Sequence, residues 1–102
     1  MKYLFHAVAD RRQDEIWDYT VERWGEEQAI RYIVGLHEAI AQAAERNIVW
    51  RKPIHPELSG IYFIRYENHY VFFRELPNKV IGVINILHEN MDLPSRLEDD
   101  LE

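Results

Sequence analysis

The chain has no cysteine, and only four glycines and four prolines among 102 residues. The first absence excludes disulfides, thiolate metal sites and a cysteine nucleophile, and it fits a reducing compartment. The second leaves little material for a loop that cradles phosphate. Neither G-x-x-x-x-G-K-[ST], G-x-G-x-x-G nor G-x-S-x-G occurs, which disfavours the common kinds of nucleotide binding. No run of 18 apolar residues exists, so nothing is expected to span a membrane. The opening MKYLFHAVADRR is apolar for too short a stretch to be a secretory signal. Basic charge is also scarce, with 12 Lys and Arg against 18 Asp and Glu and a net charge of −6. A nucleic-acid binder is normally basic, because phosphate neutralisation drives its affinity, so strong direct binding of nucleic acid is not expected.

What is present is a composition that folds: 47% apolar and 13% aromatic, in a length that suits one domain, residues 1–102, with one modest core. Charge is unevenly spread. Residues 1–45 hold 5 basic and 9 acidic groups, residues 46–79 hold 6 and 3, and residues 80–102 hold 1 and 6.

The stretch KYLFHA (2–7) reads as a short strand. Asp10 stands where a helix N-cap belongs, followed by acidic residues in the early turns. In the helix that follows, Ile16, Tyr19 and Thr20 form one face, and Trp17, Val21 and Trp24 form a second. Gly25 is a natural stop, and a second helix runs from about Glu26 to Arg46 on the apolar positions Ala29, Ile33, Leu36, Ile40 and Ala43. Asn47 is suited to the left-handed residue that ends it. A one-residue link makes the two helices an antiparallel hairpin. Residues 48–60 form a loop. Three strands follow, IYFIRY (61–66), HYVFFREL (69–76) and KVIGVINILH (79–88), joined by turns at Glu67-Asn68 and Pro77-Asn78. The last is apolar on both faces and should be central, covered on both sides. Ile16, Ile33, Leu36, Ile40, Phe72, Ile84 and Ile86 are expected to share one core. Burial must end at His88, because His-Glu-Asn cannot enter an apolar interior without partners. Asp92 or Leu93 then caps a short helix near Pro94, with Leu93, Leu97 and Leu101 at four-residue spacing. The expected fold is α+β, an antiparallel β-sheet packed against an N-terminal helical hairpin in the order β-α-α-β-β-β.

His37-Glu38 and His88-Glu89 do not extend to H-E-x-x-H, so no metal site and no cofactor is expected. Arg51, Lys52, His55, Arg65, His69, Arg74 and Lys79 are interleaved with Trp50, Tyr62, Tyr66 and Tyr70. That arrangement is shared by RNA-binding sheets and by ordinary sheets with packed aromatics and solvated charges. The Trp17, Val21 and Trp24 stripe is harder to absorb. A domain with one core cannot bury every face of a surface helix, so either the helix is sandwiched or the stripe meets a partner.

IWDYTVERWGEEQAIRYI (16–33) resembles the helical hairpin of ParE-type toxins, through Ile16, Tyr19, Trp24, Gly25, Gln28, Ala29 and Tyr32. INILHENMDLPSRL (84–97) resembles the C-terminal motif of that family, through Ile84, Ile86, Leu87, His88, Met91, Asp92 and Leu97. RYENHYVFFRE (65–75) is similar to the segment between. The resemblance implies the RelE/ParE-like fold and the toxin of a bacterial type II toxin–antitoxin module, acting in the cytoplasm. It further implies a poison that binds DNA gyrase without catalysis and is neutralised by a cognate antitoxin. RelE-type relatives instead cleave messenger RNA on the ribosome. Many of them carry an arginine where this chain has Val71, which weakens that alternative, since RNA cleavage needs groups that stabilise charge and move protons. Arg65, Arg74, His88 and Arg96 are the candidates for contact with the target. Trp17, Val21 and Trp24 are the candidates for contact with the antitoxin, or for self-association into a homodimer in its absence.

Overall fold

The computed structural model describes residues 2–53 and 56–90. Strand β1 (Tyr3–Phe5) leads into α1 (Ala7–Trp24) and α2 (Glu26–Ala44), followed by β2 (Ile61–Tyr66), β3 (His69–Leu76) and β4 (Val80–His88). The sheet order is β1-β4-β3-β2. The three consecutive strands form the expected antiparallel meander, and β1 joins β4 in parallel, so the complete sheet is mixed. The expected β-α-α-β-β-β order holds. The short helix expected near Pro94, with its cap at Asp92 or Leu93, lies outside the described residues.

β4 takes the central place that its composition demands. Every residue from Ile81 to Leu87 is buried, including Asn85, which is wholly enclosed. Helix α1 crosses over this strand. Between Phe72–Phe73 of β3 and Val83–Asn85 of β4 the register shifts, so that β4 carries one extra residue, a β-bulge. The bulge interrupts the strict alternation of sides, and here the expectation of a single core fails. Ile16, Leu36, Ile40 and Ile86 do pack together beneath the helices with Val71, Phe73 and Val83, and Ile33 lies partly buried against them. Phe72 and Ile84 instead belong to a second cluster, with Leu58, Ile61 and Leu87. A strand that is apolar on both faces divides its side chains between two interiors, and the sequence order of those residues does not reveal the division.

Helix boundaries also differ in detail. α1 begins at Ala7, three residues before Asp10, because the carbonyl of His6 already accepts the Asp10 N–H at 3.0 Å. The helix therefore starts as the chain leaves β1, and Ala9 is buried. Gly25, at φ +91°, joins the helices by donating to Val21 and accepting from Ala29. At the end of α2 the left-handed residue is Arg46 (φ 62°), and not Asn47. The Asn47 N–H bonds to Gln42 and the Arg46 N–H to Ala43, the paired bonds of a Schellman motif, while the Asn47 side chain donates to Gln42. β4 starts at Val80 because Asn78 and Lys79 are both left-handed, which lengthens the Pro77 turn to three residues.

Gly35 stands where α2 meets β2, and a methyl group placed there would run into the Tyr66 hydroxyl. Gly35→Ala should therefore destabilise the fold by about 1–3 kcal/mol, against the usual helix preference for alanine. Thermal unfolding of Gly35→Ala beside Gly35→Ala/Tyr66→Phe checks this, and the double variant should recover part of the loss.

Candidate functional site

The tip of the helical hairpin, the β2–β3 turn and the end of β4 enclose an open cleft of about 920 Å³. Buried Ile16, Thr20 and Ile86 form its base. Exposed Tyr19 and Trp24 stand at its rim, with Arg23 beside Tyr19 at 5.4 Å from the ring centre.

On the sheet side of this cleft is a group of aromatic and imidazole rings. Tyr66, His69 and His88 fall on one rung of the sheet, since His69 is the ladder partner of both others. The Tyr32 hydroxyl and His69 Nδ1 share a hydrogen bond of 2.7 Å. The Tyr66 hydroxyl donates to the Tyr32 carbonyl at 3.1 Å, and Tyr32 and Tyr66 meet edge to face at 5.0 Å. His88 meets His69 edge-on at 5.2 Å. Burial pushes the Tyr32 phenol up to about 12, helped by the nearby Tyr66 and carboxylates and opposed by a hydrogen bond from the Asn68 backbone. Burial also pulls His69 down to about 4, with His88 adding to the effect and Glu89 opposing it. Both groups stay neutral near pH 7. The pair holds α2 to the sheet by a hydrogen bond between uncharged partners.

The candidate target contacts do not form one cluster. His88 joins the ring group beneath the hairpin. Arg65 is exposed on the opposite side of β2 and reaches round the turn, donating to the Glu67 carbonyl at 3.0 Å and pairing with Glu89. Arg74 is exposed and is the ladder partner of Ile61, whereas Arg65 is that of Tyr70. Four residues of strand therefore separate their rungs, roughly 13 Å. Arg96 lies outside the described residues. Trp17 and Val21 are half-buried, and Trp24 remains 68% exposed. The stripe is thus continuous in sequence but graded in burial.

Tyr32 and His69 carry the strongest perturbations, yet nothing in the residue pattern singled them out as a pair. They are 37 residues apart, and only the packing of α2 on β3 joins them. The one signal available was that both belong to motifs shared with toxins of the ParE type.

No helix among the described residues is long and apolar enough to cross a membrane. Among the same residues no group of three or more His, Cys, Asp or Glu is placed to hold a metal ion.

This architecture defines a small α+β domain, a helical hairpin packed on a four-stranded mixed sheet. A family profile described as the ParE toxin of type II toxin–antitoxin system, parDE, matches residues 3–93. "Toxin ParE1" of Mycobacterium tuberculosis is 33% identical over 101 residues, covering 94% of this chain and 97% of the relative. "Toxin ParE" of Escherichia coli is 35% identical over 100 residues, covering 98% and 96%. In three dimensions the chain is similar to a structure titled "Chromosomal ParDE TA system from P. aeruginosa". The TM-score is 0.69 at 21% identity, covering 86% of this chain and 95% of that one. The chain belongs to the ParE toxin family of type II toxin–antitoxin systems.

The two shifted histidines give the fold a pH dependence. His69 is lowered from 6.5 to about 4 and His37 is lowered also, both chiefly by burial. Between those values the unfolded chain binds more protons than the folded one. The stability contributed by a neutral His69 is therefore complete above pH about 6.5 and is lost as pH falls towards about 4. Melting curves from pH 7 to pH 4 should show a shallower decline for His69→Asn than for the parent.

Proposed function

We infer that this chain is the toxin of a bacterial toxin–antitoxin pair. Its cognate antitoxin holds it inactive in the cytoplasm. Once free, it binds DNA gyrase and stops replication without a catalytic step of its own. Membership of the ParE family supports the pairing. The observation that favours binding over catalysis is the state of the ring cluster. A general acid or base works best with a pKa near the working pH. Burial moves Tyr32 and His69 away from neutrality in opposite directions, and each is bonded to the other. Arg65 is engaged by Glu89, and Arg74 is remote from the rings along the sheet. Cleavage of RNA would need a proton donor and cations converging on one phosphate.

The test adds purified protein to gyrase with supercoiled DNA, and separately to programmed ribosomes with messenger RNA. Impaired supercoiling or accumulated cleaved DNA is expected in the first assay, and intact message in the second. His88→Ala should change gyrase inhibition by less than about tenfold, as a rim contact does. Message cleavage that His88→Ala reduces by about 10²- to 10⁴-fold, with gyrase unaffected, would establish the ribosome-dependent endoribonuclease in its place.

The exposed Trp24 is the natural aromatic contact for the antitoxin at the cleft rim. Trp24→Ala should weaken antitoxin binding by about 2 kcal/mol or more, or change the oligomeric state of the free toxin. Titration calorimetry and sedimentation of the variant check both.

A further inference from the structure

The cleft at the hairpin tip is cationic in a chain that is acidic as a whole. Helices α1 and α2 together carry four arginines and eight carboxylates. Three of those arginines, Arg12, Arg23 and Arg31, line the cleft, whereas Glu15 is the one carboxylate of the eight that does. Glu67 of the β2–β3 turn adds a second. Arg23 is exposed, takes no ion pair among the described residues and lies over the Tyr19 ring. Arg31 meets Glu27 at 3.0 Å on the surface, where such a pair contributes little. Arg12 and Arg23 stand roughly 16 Å apart along the axis of α1, which sets the length of the trough. Its floor is apolar, formed by buried Ile16 and Ile86, and its rim carries the exposed rings of Tyr19 and Trp24. Free guanidinium groups beside exposed apolar rings suit a segment that carries carboxylates next to leucine.

The chain itself contains such a segment, Leu97-Glu98-Asp99-Asp100, beyond the described residues. The strand that leads to it ends at the cleft. His88 lines the cleft, and the Asn90 N–H donates to His88 Nδ1 at 3.1 Å. The Glu89 N–H donates to the carbonyl of Asn68, another lining residue, at 2.9 Å. From there residues 91–97 reach roughly 10 Å as helix and roughly 23 Å as extended chain, so the carboxylates that follow fall within the length of the trough in either form. We propose that residues 97–100 occupy this cleft of their own chain, with Leu97 against the rings of Tyr19 and Trp24 and the carboxylates of Glu98, Asp99 and Asp100 shared between Arg23 and Arg31. A short tether supplies an effective concentration on the order of 1 mM, so a contact too weak to join two molecules closes within one. Nucleic acid is a poorer occupant, because the net charge of −6 repels it at a distance. The docked tail covers the two most exposed rings of the hairpin, and any partner that takes Trp24 must first expel it. This docking requires no particular identity for that partner.

The absence of cysteine makes the test direct, since Ser95→Cys then carries a single nitroxide label on the full chain. Its paramagnetic broadening is read by magnetic resonance at the tryptophan indole signals, with Trp24 assigned through Trp24→Phe. The Trp24 indole and the Tyr19 and Arg23 amides should lose intensity relative to the reduced label. Trp50, which bonds to Ala43 at the far end of α2, should keep its intensity. Adding Glu98→Gln/Asp99→Asn/Asp100→Asn should restore the Trp24 signal, as should Arg23→Gln/Arg31→Gln. Salt raised past about 0.3 M should restore it in the labelled parent. Both arginines are exposed, so circular dichroism of the double variant should match that of the parent. If that variant fails to fold, the triple variant decides alone, because it leaves every described residue unchanged. Full Trp24 intensity in the labelled parent, or equal broadening of Trp24 and Trp50, would overturn the proposal. So would broadening at Trp24 that the triple variant leaves unaltered. A mixture of spin-labelled chain with isotope-labelled, spin-free chain separates contact within one molecule from contact between two. Broadening of Trp24 in that mixture as strong as in the single chain would assign the cleft to the tail of a second copy and overturn docking within one chain.

Discussion

β4 is the element on which the rest of the structure depends. It is an interior strand buried on both faces from Ile81 to Leu87, so it needs a layer on each side and a strand at each edge. The helical hairpin supplies one layer, and β1 and β3 supply the two edges. The only polar side chain enclosed in this strand, Asn85, accepts from the Ile86 N–H at 2.8 Å and from Arg12 Nε at 3.4 Å. That connection ties α1 to the strand beneath it and satisfies a group that would otherwise be costly to bury. Burial ends where the strand does. His88 emerges beside His69, and the next residue, Glu89, turns to Arg65. The concentration of titratable groups at this end of the molecule is a consequence of excluding them from the middle.

Much of this was legible in the residues. The alternation of Tyr, Val, Ile and Phe marked the meander, and the spacing of Ala29, Leu36, Ile40 and Ala43 marked the buried face of α2. Gly25 was correctly placed, because a one-residue link between helices needs a conformation that only glycine adopts readily. Less legible were features set by contacts distant in sequence. The parallel pairing of β1 depends on β4, and the Tyr32–His69 bond depends on how α2 lies across the sheet. Arg46 in place of Asn47 shows a different limit. Local preference favours asparagine in the left-handed region, but the hydrogen bonds at the helix end decided the position. For the candidate site, residue type identified the participants better than their grouping. Arg65 and Arg74 share a face but lie at opposite ends of β2 and β3, and His88 lies on the other face.

The uneven charge along the chain acquires a spatial meaning in the fold. The acidic excess of residues 1–45 is carried largely by the hairpin, and the basic excess of residues 46–79 by the loop, β2 and β3. The two layers of the domain thus differ in electrostatic character. A toxin that must be recognised by an antitoxin and must also engage its target can use opposite layers for the two tasks. Arg46, stacked at 3.8 Å over Trp50 and paired with Glu75 at 2.8 Å, stands at the junction between them.

The pairing of β1 with β4 also bears on how the chain is made. Tyr3, Leu4 and Phe5 align with Ile81, Gly82 and Val83, so β1 waits for β4. Contacts this far apart in sequence form late and close slowly. A chain cut short by a premature stop before residue 80 has the hairpin but lacks the strand over which it packs. A packed domain therefore requires the chain through β4. A stop codon before β4 is accordingly expected to leave a product without the strand on which the hairpin packs.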